Sequence, residues 1–386
     1  MAEQFTTLAS LTVDGKGSYG IGASAVPFSK DLYTYLRITD IKDDGTLNLQ
    51  DLKSVDDEKA SEYLLKPNDI VFARTGASTG RNYFYDGTDG EFVYAGFLIK
   101  FSIDEKKVNP KYIKYFCQSK QYKDWINSFN TGSTRGNINA QTLGKMPIPL
   151  IERTTQDALV SILSSIDEKI KKNNEINNNL EQQAQAIFKS WFIDFEPFSN
   201  RKPSEWSVST LGNVSIMGAG GDKPQNVSPI KTDLYEYPIY SNGLSNEGLY
   251  GFTDKPKISE ESVTVSARGT IGFVCLRHIP YVPIVRLVTL IPKTEIISAK
   301  YLYLWLKQLH ITGTGTTQQQ LTVPDFQKTE ILVPSQEIVT LFTATVEPIF
   351  EKIWFNQNEN EKLSSLRDTL LPKLMTGELD VSDTEI

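Results

Sequence analysis

The residues best suited to chemistry in this 386-residue chain are arginines, amides and hydroxyls in short loops flanked by glycine. In the N-terminal half these loops read RTGASTGR (74–81) and GSTRGN (132–137), and in the C-terminal half YSN (240–242), ARGT (267–270) and TTQQQ (316–320). Glycine lets a backbone approach a ligand closely, while Arg suits guanine edges and Asn or Gln suits adenine edges. These loops therefore predict contacts with nucleic acid.

Any single loop could equally be a solvated turn, so the prediction applies to the loops as a group. In the first half the candidate DNA-contacting residues are Arg74, Ser78, Thr79, Arg81, Ser133, Thr134, Arg135 and Asn137. In the second half they are Tyr240, Ser241, Asn242, Arg268, Thr270, Thr316, Thr317, Gln318, Gln319 and Gln320.

The charge of the chain is unevenly distributed. A net charge of −7 disfavours a protein that binds nucleic acid over its whole surface, because Lys and Arg neutralise phosphates. Residues 125–151, 262–294 and 296–324 nevertheless contain no Asp or Glu, and each of these windows holds Lys or Arg. A local basic surface is therefore compatible with the acidic total.

Catalytic motifs are weak or missing. GKGSYG (15–20) matches the G-x-G-x-x-G dinucleotide pattern, but no helix start follows it. NPKY (109–112) resembles the N-P-P-Y motif of amino-methyltransferases, but the corresponding SAKY (298–301) loses the Asn-Pro pair. The sequence has no phosphate loop for ATP, and His278 and His310 provide neither a Ser/His/Asp set nor metal-ligand spacing. We therefore expect no catalytic activity from the chain itself.

The chain repeats itself, which indicates what positions these loops. Residues 130–192 align without a gap with residues 313–375, at a constant offset of 183. Further upstream, VFARTGASTGRNYF (71–84) resembles VSARGTIGFVCL (265–276). A repeat of this length indicates domain duplication rather than a solenoid.

Each half mixes strand-like runs such as KFSI (100–103) and SVTVSA (262–267) with Gly-rich turns and a helix. The predicted fold is therefore α+β, with two mixed α/β domains separated by two long antiparallel coiled-coil helices and related by a pseudo-two-fold repeat. The predicted boundaries are domain one at 1–150, a central helix at 151–198, domain two at 199–333, a C-terminal helix at 334–380 and an acidic tail at 381–386.

Asparagines interrupt the apolar seam that recurs every seven residues in both long helices. An antiparallel register would join Asn173 to Asn360 and Asn177 to Asn356. Buried amides fix such a register because a slipped pairing leaves each amide without a partner. In the same register Arg367 faces an apolar layer, which we expect to be the weak one.

Three segments carry a resemblance to a known family. FKSWFIDFEPF (188–198) resembles the central region of type I restriction–modification specificity subunits, and LLPKLMTGELDV (370–381) resembles their C-terminal ending. The GSTRGNIN and KMPIPL stretch (132–150) resembles the recurrent end of a target recognition domain. The resemblance covers the chain from end to end. It implies two target recognition domains held apart by two conserved antiparallel helices, each domain reading one half of a split, asymmetric DNA site.

The resemblance also implies partners and cofactors. The chain would bind double-stranded DNA, two methyltransferase subunits and, in the full complex, the translocating restriction subunits. The exposed helix faces, including Phe188 and Phe192, would contact the methyltransferases. The chain itself would bind no cofactor, whereas S-adenosylmethionine is expected in the methyltransferase, and ATP and Mg in the restriction subunit. Two alternatives stay open: a coiled-coil adaptor that binds proteins, and the recognition subunit of another restriction–modification type.

The remaining sequence features concern the cellular compartment. Cys117 and Cys275 are too few for a disulfide framework, which fits a cytoplasmic protein. The N-terminal MAEQFTTLAS lacks the pattern of a signal peptide, and no run of about 18 apolar residues occurs. We therefore expect no membrane association.

Overall fold

The chain folds into two compact units, each of which contains one mixed α/β domain. Unit one comprises Met1–Lys172 with Glu359–Ile386, and unit two comprises Asn173–Asn358. A computed structural model describes residues 5–49, 51–129, 137–313 and 320–379. The acidic tail at 381–386 lies outside these residues. Each unit contains part of both long helices, and the predicted α+β class is confirmed.

Unit one contains ten short strands and three short helices within the described ranges. The strands are β1 (Phe5–Thr7), β2 (Ser18–Tyr19), β3 (Ala25–Pro27), β4 (Tyr33–Leu36), β5 (Lys53–Val55), β6 (Asp69–Ala73), β7 (Asn82–Tyr85), β8 (Phe92–Tyr94), β9 (Leu98–Ser102) and β10 (Pro147–Pro149). The helices are α1 (Pro110–Phe116), α2 (Lys120–Asn127) and α3 (Ala140–Gly144), with 3-10 turns at Ala9–Leu11, Ala60–Tyr63 and Gly76–Ser78. The first long helix, α4 (Arg153–Phe192), follows and ends before a 3-10 turn at Glu196–Phe198.

Unit two repeats this order with fewer elements in the part of the chain that the structure describes. The strands are β11 (Ser207–Thr210), β12 (Ser215–Ala219), β13 (Tyr237–Tyr240), β14 (Leu249–Thr253), β15 (Ser262–Val265), β16 (Val274–Arg277), β17 (Val282–Pro283), β18 (Val288–Pro292) and β19 (Glu330–Val333). The helices are α5 (Leu211–Val214), α6 (Ala299–Gln308) and α7 (Val323–Phe326), with a 3-10 turn at Ser245–Gly248. The second long helix is α8 (Gln336–Met375).

The main sheets of the two units have the same topology. In unit one the strand order is β2-β9-β6-β7, and in unit two it is β12-β18-β15-β16, with all neighbours antiparallel. A second sheet contains β3-β5-β4-β8 in unit one and β14-β13-β17 in unit two, and each has one parallel pair. The terminal pairs β1–β10 and β11–β19 also correspond.

A buried tyrosine identifies the duplicated frame in both units. The Tyr112 hydroxyl donates to the Pro149 carbonyl (2.6 Å), and the Tyr301 hydroxyl donates to the Leu332 carbonyl (2.7 Å). Both tyrosines are 0% exposed, and the acceptors Pro149 and Leu332 are 183 positions apart, which is the offset of the sequence repeat. The predicted internal duplication is confirmed.

The NPKY segment has a helix-capping role. Asn109 Oδ1 accepts from the Lys111 amide (3.0 Å) and so caps α1, with Pro110 in the first turn. Ser298 caps α6 in the same way, through its hydroxyl and the Tyr301 amide. Asn and Ser are both favoured caps because a short side-chain oxygen satisfies a free amide at a helix start. The segment therefore begins a helix in both units, as the comparison with SAKY predicts.

The long helices pair antiparallel within unit one. Lys169 forms an ion pair with Glu359 (3.1 Å), and Asp167 forms one with Arg367 (3.1 Å), so the partner number rises as the residue number falls. Arg367 therefore does not make the weak layer that the sequence predicts. Asp167 also accepts hydrogen bonds from Lys114 and Tyr115, which places Arg367 in a polar network. The heptad rows alone could not predict this ion pair, because Asp167 is the residue after the seam position Ile166.

The helices also pair antiparallel within unit two. Asn356 Nδ2 donates to Asn177 Oδ1 (2.8 Å), and Asn177 Nδ2 donates to the Ile353 carbonyl (3.4 Å). The predicted Asn177–Asn356 pair is confirmed, and Asn356 is 1% exposed. The Asn173–Asn360 pair stays a prediction.

The expectation that Phe188 and Phe192 face outward is wrong. They are 0% and 1% exposed, and both pack on Tyr301 and Phe342 in the core of unit two. They lie outside the two heptad rows because this face of α4 packs on α6 of the domain as well as on Phe342 of the other long helix. Among the described helices, none is long and apolar enough to cross a membrane.

Candidate nucleic-acid interface

Three polar loops of unit two are tied together by a chain of hydrogen bonds. The Leu321 amide donates to the Ala267 carbonyl (3.0 Å), and the Ala267 amide donates to Asn242 Oδ1 (2.7 Å). Asn242 Nδ2 in turn donates to the Val285 carbonyl (2.7 Å). We call the two bonds of this side chain the amide bridge. The loops predicted in this half of the chain therefore meet beside the turn that contains Val285.

An open, basic groove lies at this meeting point. It is lined by Gly220, Gly221, Asp222, Lys223, Arg268, Val285 and Arg286. The three cations and the one carboxylate are all exposed. Arg268 Nη2 donates to Gln320 Oε1 (2.9 Å), so a side chain suited to guanine lies beside one suited to adenine. Unit two therefore presents positive charge and an amide together.

The groove depends on a turn with two left-handed residues that are not glycine. Val285 has a φ of 52° and Arg286 a φ of 59°, and such conformations cost about 1–3 kcal/mol each. The Val285 amide donates to the Gly221 carbonyl (2.9 Å), and the Arg286 amide donates to the Gly220 carbonyl (2.8 Å). Gly220 allows this approach because an added Cβ would lie 2.7 Å from the Ile284 backbone.

Backbone hydrogen bonds establish the corresponding turn of unit one. The Gly20 amide donates to the Leu98 carbonyl (3.2 Å), just as the Gly220 amide donates to the Leu287 carbonyl (2.8 Å). The residues before these carbonyls, Phe97 and Arg286, therefore correspond. Phe97 is 59% exposed, so the position that carries a cation in unit two carries an aromatic ring in unit one.

The turn of unit one is built without left-handed residues. Neither Gly96 nor Phe97 has a positive φ. The Arg74 amide donates directly to the Phe97 carbonyl (3.1 Å), and the Ile138 amide donates to the Arg74 carbonyl (2.9 Å). Among the described residues of unit one, no side chain bridges the loop and the turn, whereas in unit two the Asn242 amide does.

The two arginines that the sequence repeat aligns, Arg74 and Arg268, are not structurally equivalent. The Arg74 carbonyl accepts from Ile138, and the Ala267 carbonyl accepts from Leu321, which is 183 positions after Ile138. Arg74 therefore corresponds to Ala267. The sequence alignment is displaced here because the loop that follows is one residue longer in unit one.

Comparison with known proteins assigns the family. Residues 29–182 and 203–365 each match the family described as the type I restriction modification DNA specificity domain. The chain belongs to this family. It carries two specificity domains, and the role of the family is DNA-sequence specificity.

Individual relatives agree with this assignment. The MjaIX type I restriction enzyme specificity subunit of Methanocaldococcus jannaschii is 26% identical over 319 residues, which cover 73% of this chain and 72% of the relative. The HindI specificity subunit of Haemophilus influenzae is 25% identical, covering 82% of this chain and 87% of the relative. The fold is similar to the crystal structure of a type I S subunit from M. genitalium, with a TM-score of 0.56 and 19% identity over 97% of this chain and 96% of that one.

In the first specificity domain, Arg74 and Asn137 lie close together. Asn137 is exposed and forms a β-bridge with Thr75. The Arg74 guanidinium lies 5.1 Å from the ring centroid of Tyr19, and its buried Nε has no hydrogen-bond partner among the described residues. The two candidates therefore share one surface, where Tyr19 is 42% exposed.

The other described candidates of the first domain make bonds with other residues of that domain. Arg81 donates from Nε to Asp43 Oδ1 (2.7 Å), and Ser78 is buried beneath it. Thr79 Oγ1 donates to the Gly76 carbonyl (2.8 Å). These bonds hold the loop in shape, so DNA contact by Ser78, Thr79 and Arg81 stays a prediction.

In the second specificity domain, Tyr240 and Ser241 also have internal partners. Arg277 is 3% exposed and lies 3.6 Å from the Tyr240 ring centroid, where it donates to Glu247 Oε2 (2.9 Å). Burial raises the pKa of the Tyr240 hydroxyl. The Ser241 amide donates to the Gly248 carbonyl (2.8 Å). Arg277, which has the type expected for a phosphate ligand, is instead a buried support for this loop.

The remaining candidates of the second domain differ in exposure. Arg268 is exposed and Gln320 is half-buried beside it. Thr270 Oγ1 is buried without a hydrogen-bond partner among the described residues, and Asn242 has both ends of its amide bonded. Seven candidates lie outside the described residues: Ser133, Thr134, Arg135, Thr316, Thr317, Gln318 and Gln319.

Sequence reasoning omitted two residues of the groove, Lys223 and Arg286. Arg286 lies in an acid-free window, but nothing in VPIVRL indicates left-handed residues. Lys223 follows Gly220, Gly221 and an Asp, so its charge is locally balanced in the sequence. Only the hydrogen bonds between the turn and the two glycines bring them together.

Motifs with catalytic patterns have structural roles in these specificity domains. In GKGSYG, a Cβ on Gly20 would lie 2.3 Å from the Ala95 carbonyl oxygen, and a Cβ on Gly17 would lie 2.6 Å from the Phe101 ring. These glycines therefore permit close packing. His278 stacks on Trp354 at 4.1 Å between ring centroids. Among the described residues, no group of three His, Cys, Asp or Glu could hold a metal ion.

Proposed function

We propose that this chain is the DNA-binding specificity subunit of a type I restriction–modification complex, and that each specificity domain reads one half of a bipartite, asymmetric site. The observation that carries this proposal is the groove of unit two, where Lys223, Arg268 and Arg286 lie beside Gln320. Positive charge supplies affinity for phosphates, and Arg with Gln supplies contacts to base edges.

The proposed role is positioning rather than catalysis. The proposed partners are double-stranded DNA, two methyltransferase subunits and restriction subunits, with S-adenosylmethionine bound by the methyltransferase and ATP and Mg by the restriction subunit. On α8, Leu341 is 54% and Phe355 60% exposed, and their separation of two heptads places them on one helix face. We propose this face, instead of Phe188 and Phe192, as a contact for a methyltransferase subunit.

The proposal is tested by mapping methylated adenines in random DNA exposed to the assembled methyltransferase complex. Replacing residues 203–333 with the matching domain of a relative should change one half of the recognised site and leave the other half and its methylation unchanged. The control is the methyltransferase without this chain, which should methylate no defined site. A swap that changed both halves together would refute reading by one domain per half.

A second measurement separates DNA recognition from a protein-binding adaptor. Labelled duplex that carries the mapped site is titrated with the assembled complex at several salt concentrations. A DNA-recognition subunit should show binding that weakens steeply as salt rises, because cations are released from the phosphates on binding. Equal binding of the duplex by complexes with and without this chain would favour the adaptor.

A further inference from the structure

We propose that Lys223 and Arg286 form a phosphate-binding site for the DNA backbone in unit two, next to the Arg268–Gln320 pair, and that unit one lacks this contact. The inference rests on the proposed DNA recognition and assigns backbone contact and base contact to different residues of one groove. It also predicts that the two halves of the DNA site depend differently on salt.

The charges of the groove are available to a ligand. Lys223 and Arg286 are exposed, and neither has an ion-pair partner among the described residues. Of the described residues that line the groove, Asp222 is the one carboxylate. Arg268, by contrast, is already oriented by Gln320 through a 2.9 Å hydrogen bond. The two unpaired cations suit a phosphodiester, and the Arg–Gln pair suits the edge of a base. Backbone phosphates flank the base edges in duplex DNA, so one duplex can contact both.

The turn that carries Arg286 is strained and strongly held. Val285 and Arg286 both have a left-handed backbone, which is a conformation that persists only where the surroundings enforce it. Here the amides of Val285 and Arg286 donate to glycine carbonyls. In addition, Asn242 Nδ2 of the amide bridge donates to the Val285 carbonyl. Several interactions therefore fix the position of one cation, although the turn itself is exposed.

Unit one shows that the frame does not require this arrangement. The corresponding turn has no left-handed residue, bonds directly to the Arg74 amide and carries Phe97 in place of Arg286. The left-handed turn, the amide bridge and the cation occur together in unit two and are all missing from the corresponding described residues of unit one. We therefore attribute the strained turn to ligand contact and not to folding of the sheet.

The test uses the full chain in the assembled methyltransferase complex, with duplex DNA as the probe. Arg286→Gly removes the cation and relieves the left-handed strain, so a folding defect is not expected. Arg286→Lys keeps the charge and the backbone strain. Lys328→Ala is the matched control, because Lys328 is an exposed cation of the same unit that lies away from the groove. Its neighbour Gln327 contacts Gly212, which precedes β12, whereas the groove residues Gly220–Lys223 follow the end of β12.

The readout is the slope of log K against log salt concentration, together with methylation mapping. Each phosphate contact contributes about 0.9 to the slope. The affinity lost between 50 and 200 mM salt should therefore be smaller by a factor of about 3 to 4 in Arg286→Gly, and by the same factor in Lys223→Ala. Arg286→Lys and Lys328→Ala should keep the original slope, and all four variants should methylate the same site.

The outcomes distinguish this inference from the proposed function. An unchanged slope in Arg286→Gly and Lys223→Ala, with site-specific methylation intact, overturns the phosphate site and leaves DNA recognition standing. A changed methylated sequence in Arg286→Gly would also overturn it, because that residue would then read a base. If the unmodified complex methylates no defined site, the proposed function itself fails.

Discussion

The asparagine pair in unit two gives a prediction whose magnitude follows from the structure. Asn356 is 1% exposed, and its Nδ2 donates to Asn177 Oδ1 at 2.8 Å. Asn177→Ala removes the acceptor and leaves a buried amide nitrogen without that partner, which costs about 1–3 kcal/mol. Ala gains up to about 0.7 kcal/mol of helix propensity over Asn, so the net loss should be about 1–2 kcal/mol.

The assay is urea unfolding followed by tryptophan fluorescence. Four of the five tryptophans, at positions 191, 206, 305 and 354, lie in unit two, so the signal reports mainly on that unit. With a urea dependence of about 2 kcal/mol per molar, the midpoint should fall by about 0.5–1 M. Asn178→Ala is the matched control, because Asn178 is the next residue and is exposed, and it should leave the midpoint unchanged or raise it slightly.

The double variant Asn177→Leu with Asn356→Leu tests the reason for the loss. Replacing both amides leaves no unpaired polar group, so the double variant should be at least as stable as the unmodified chain. Measured against the single variants Asn177→Leu and Asn356→Leu, the coupling between the two positions should therefore be about 1 kcal/mol or more. If the single losses simply add in the double variant, or if Asn177→Ala matches Asn178→Ala, the pair does not satisfy a buried amide and the reasoning is refuted.

Three further variants test other parts of the two units. Asn242→Ala removes the amide bridge and should lower the urea midpoint of unit two, through a loss of about 1–3 kcal/mol, and also the affinity of the assembled complex for duplex DNA. Burial raises the pKa of Asp167, but Lys114, Arg367 and Tyr115 together lower it more, so the folded pKa lies below the ordinary value of 3.8. Its stabilisation is present above about pH 4 and is lost as pH falls through the folded pKa. Asp167→Asn should therefore lower the urea midpoint of unit one at pH 7 and weaken its fall below pH 4, followed by circular dichroism because Trp125 is the one tryptophan of unit one. Gly220→Ala brings a Cβ to 2.7 Å from backbone atoms and should cost about 1–3 kcal/mol in urea unfolding, whereas Gly218→Ala meets only a side-chain hydroxyl at 3.2 Å and should cost less.

The long helices were the part of the fold best predicted from sequence. The expected ranges 151–198 and 334–380 contain the observed helices Arg153–Phe192 and Gln336–Met375. Heptad spacing is a local property of the chain, and the repeat supplied a second copy that showed the same pattern. The excess length lies at the ends, where capping and turns decide the boundary and periodicity carries little information.

The same heptad pattern could not show that Phe188 and Phe192 are buried. Heptad rows describe only the seam between two helices, but α4 also presents a face to the sheet domain of unit two. Phe192 packs 4.9 Å from Tyr301 between ring centroids, a contact across more than 100 residues of sequence. Apolar residues outside a seam therefore identify a second packed face as readily as an exposed one.

The groove was predicted in part. Arg268, Asn242 and Gln320 were selected by residue type, and the structure brings these three loops together. Their individual roles depended on information that residue types lack. The sign of φ at Arg286 is set by amides that bond to glycine carbonyls about 65 residues earlier in the chain, and sequence alone does not specify such a long-range pairing.

The two units show how the recognition surface can differ while the frame stays the same. The tyrosines at 112 and 301 are 0% exposed and make the same hydrogen bond, so their loss would leave a buried carbonyl unpaired and a cavity in the core. Phe97 and Arg286 occupy corresponding exposed positions, where a changed side chain neither opens a cavity in the core nor leaves a buried polar group unpaired. Substitution at the turn is therefore tolerated where substitution in the frame is not, and the chemistry presented to DNA can change in one unit without unfolding it.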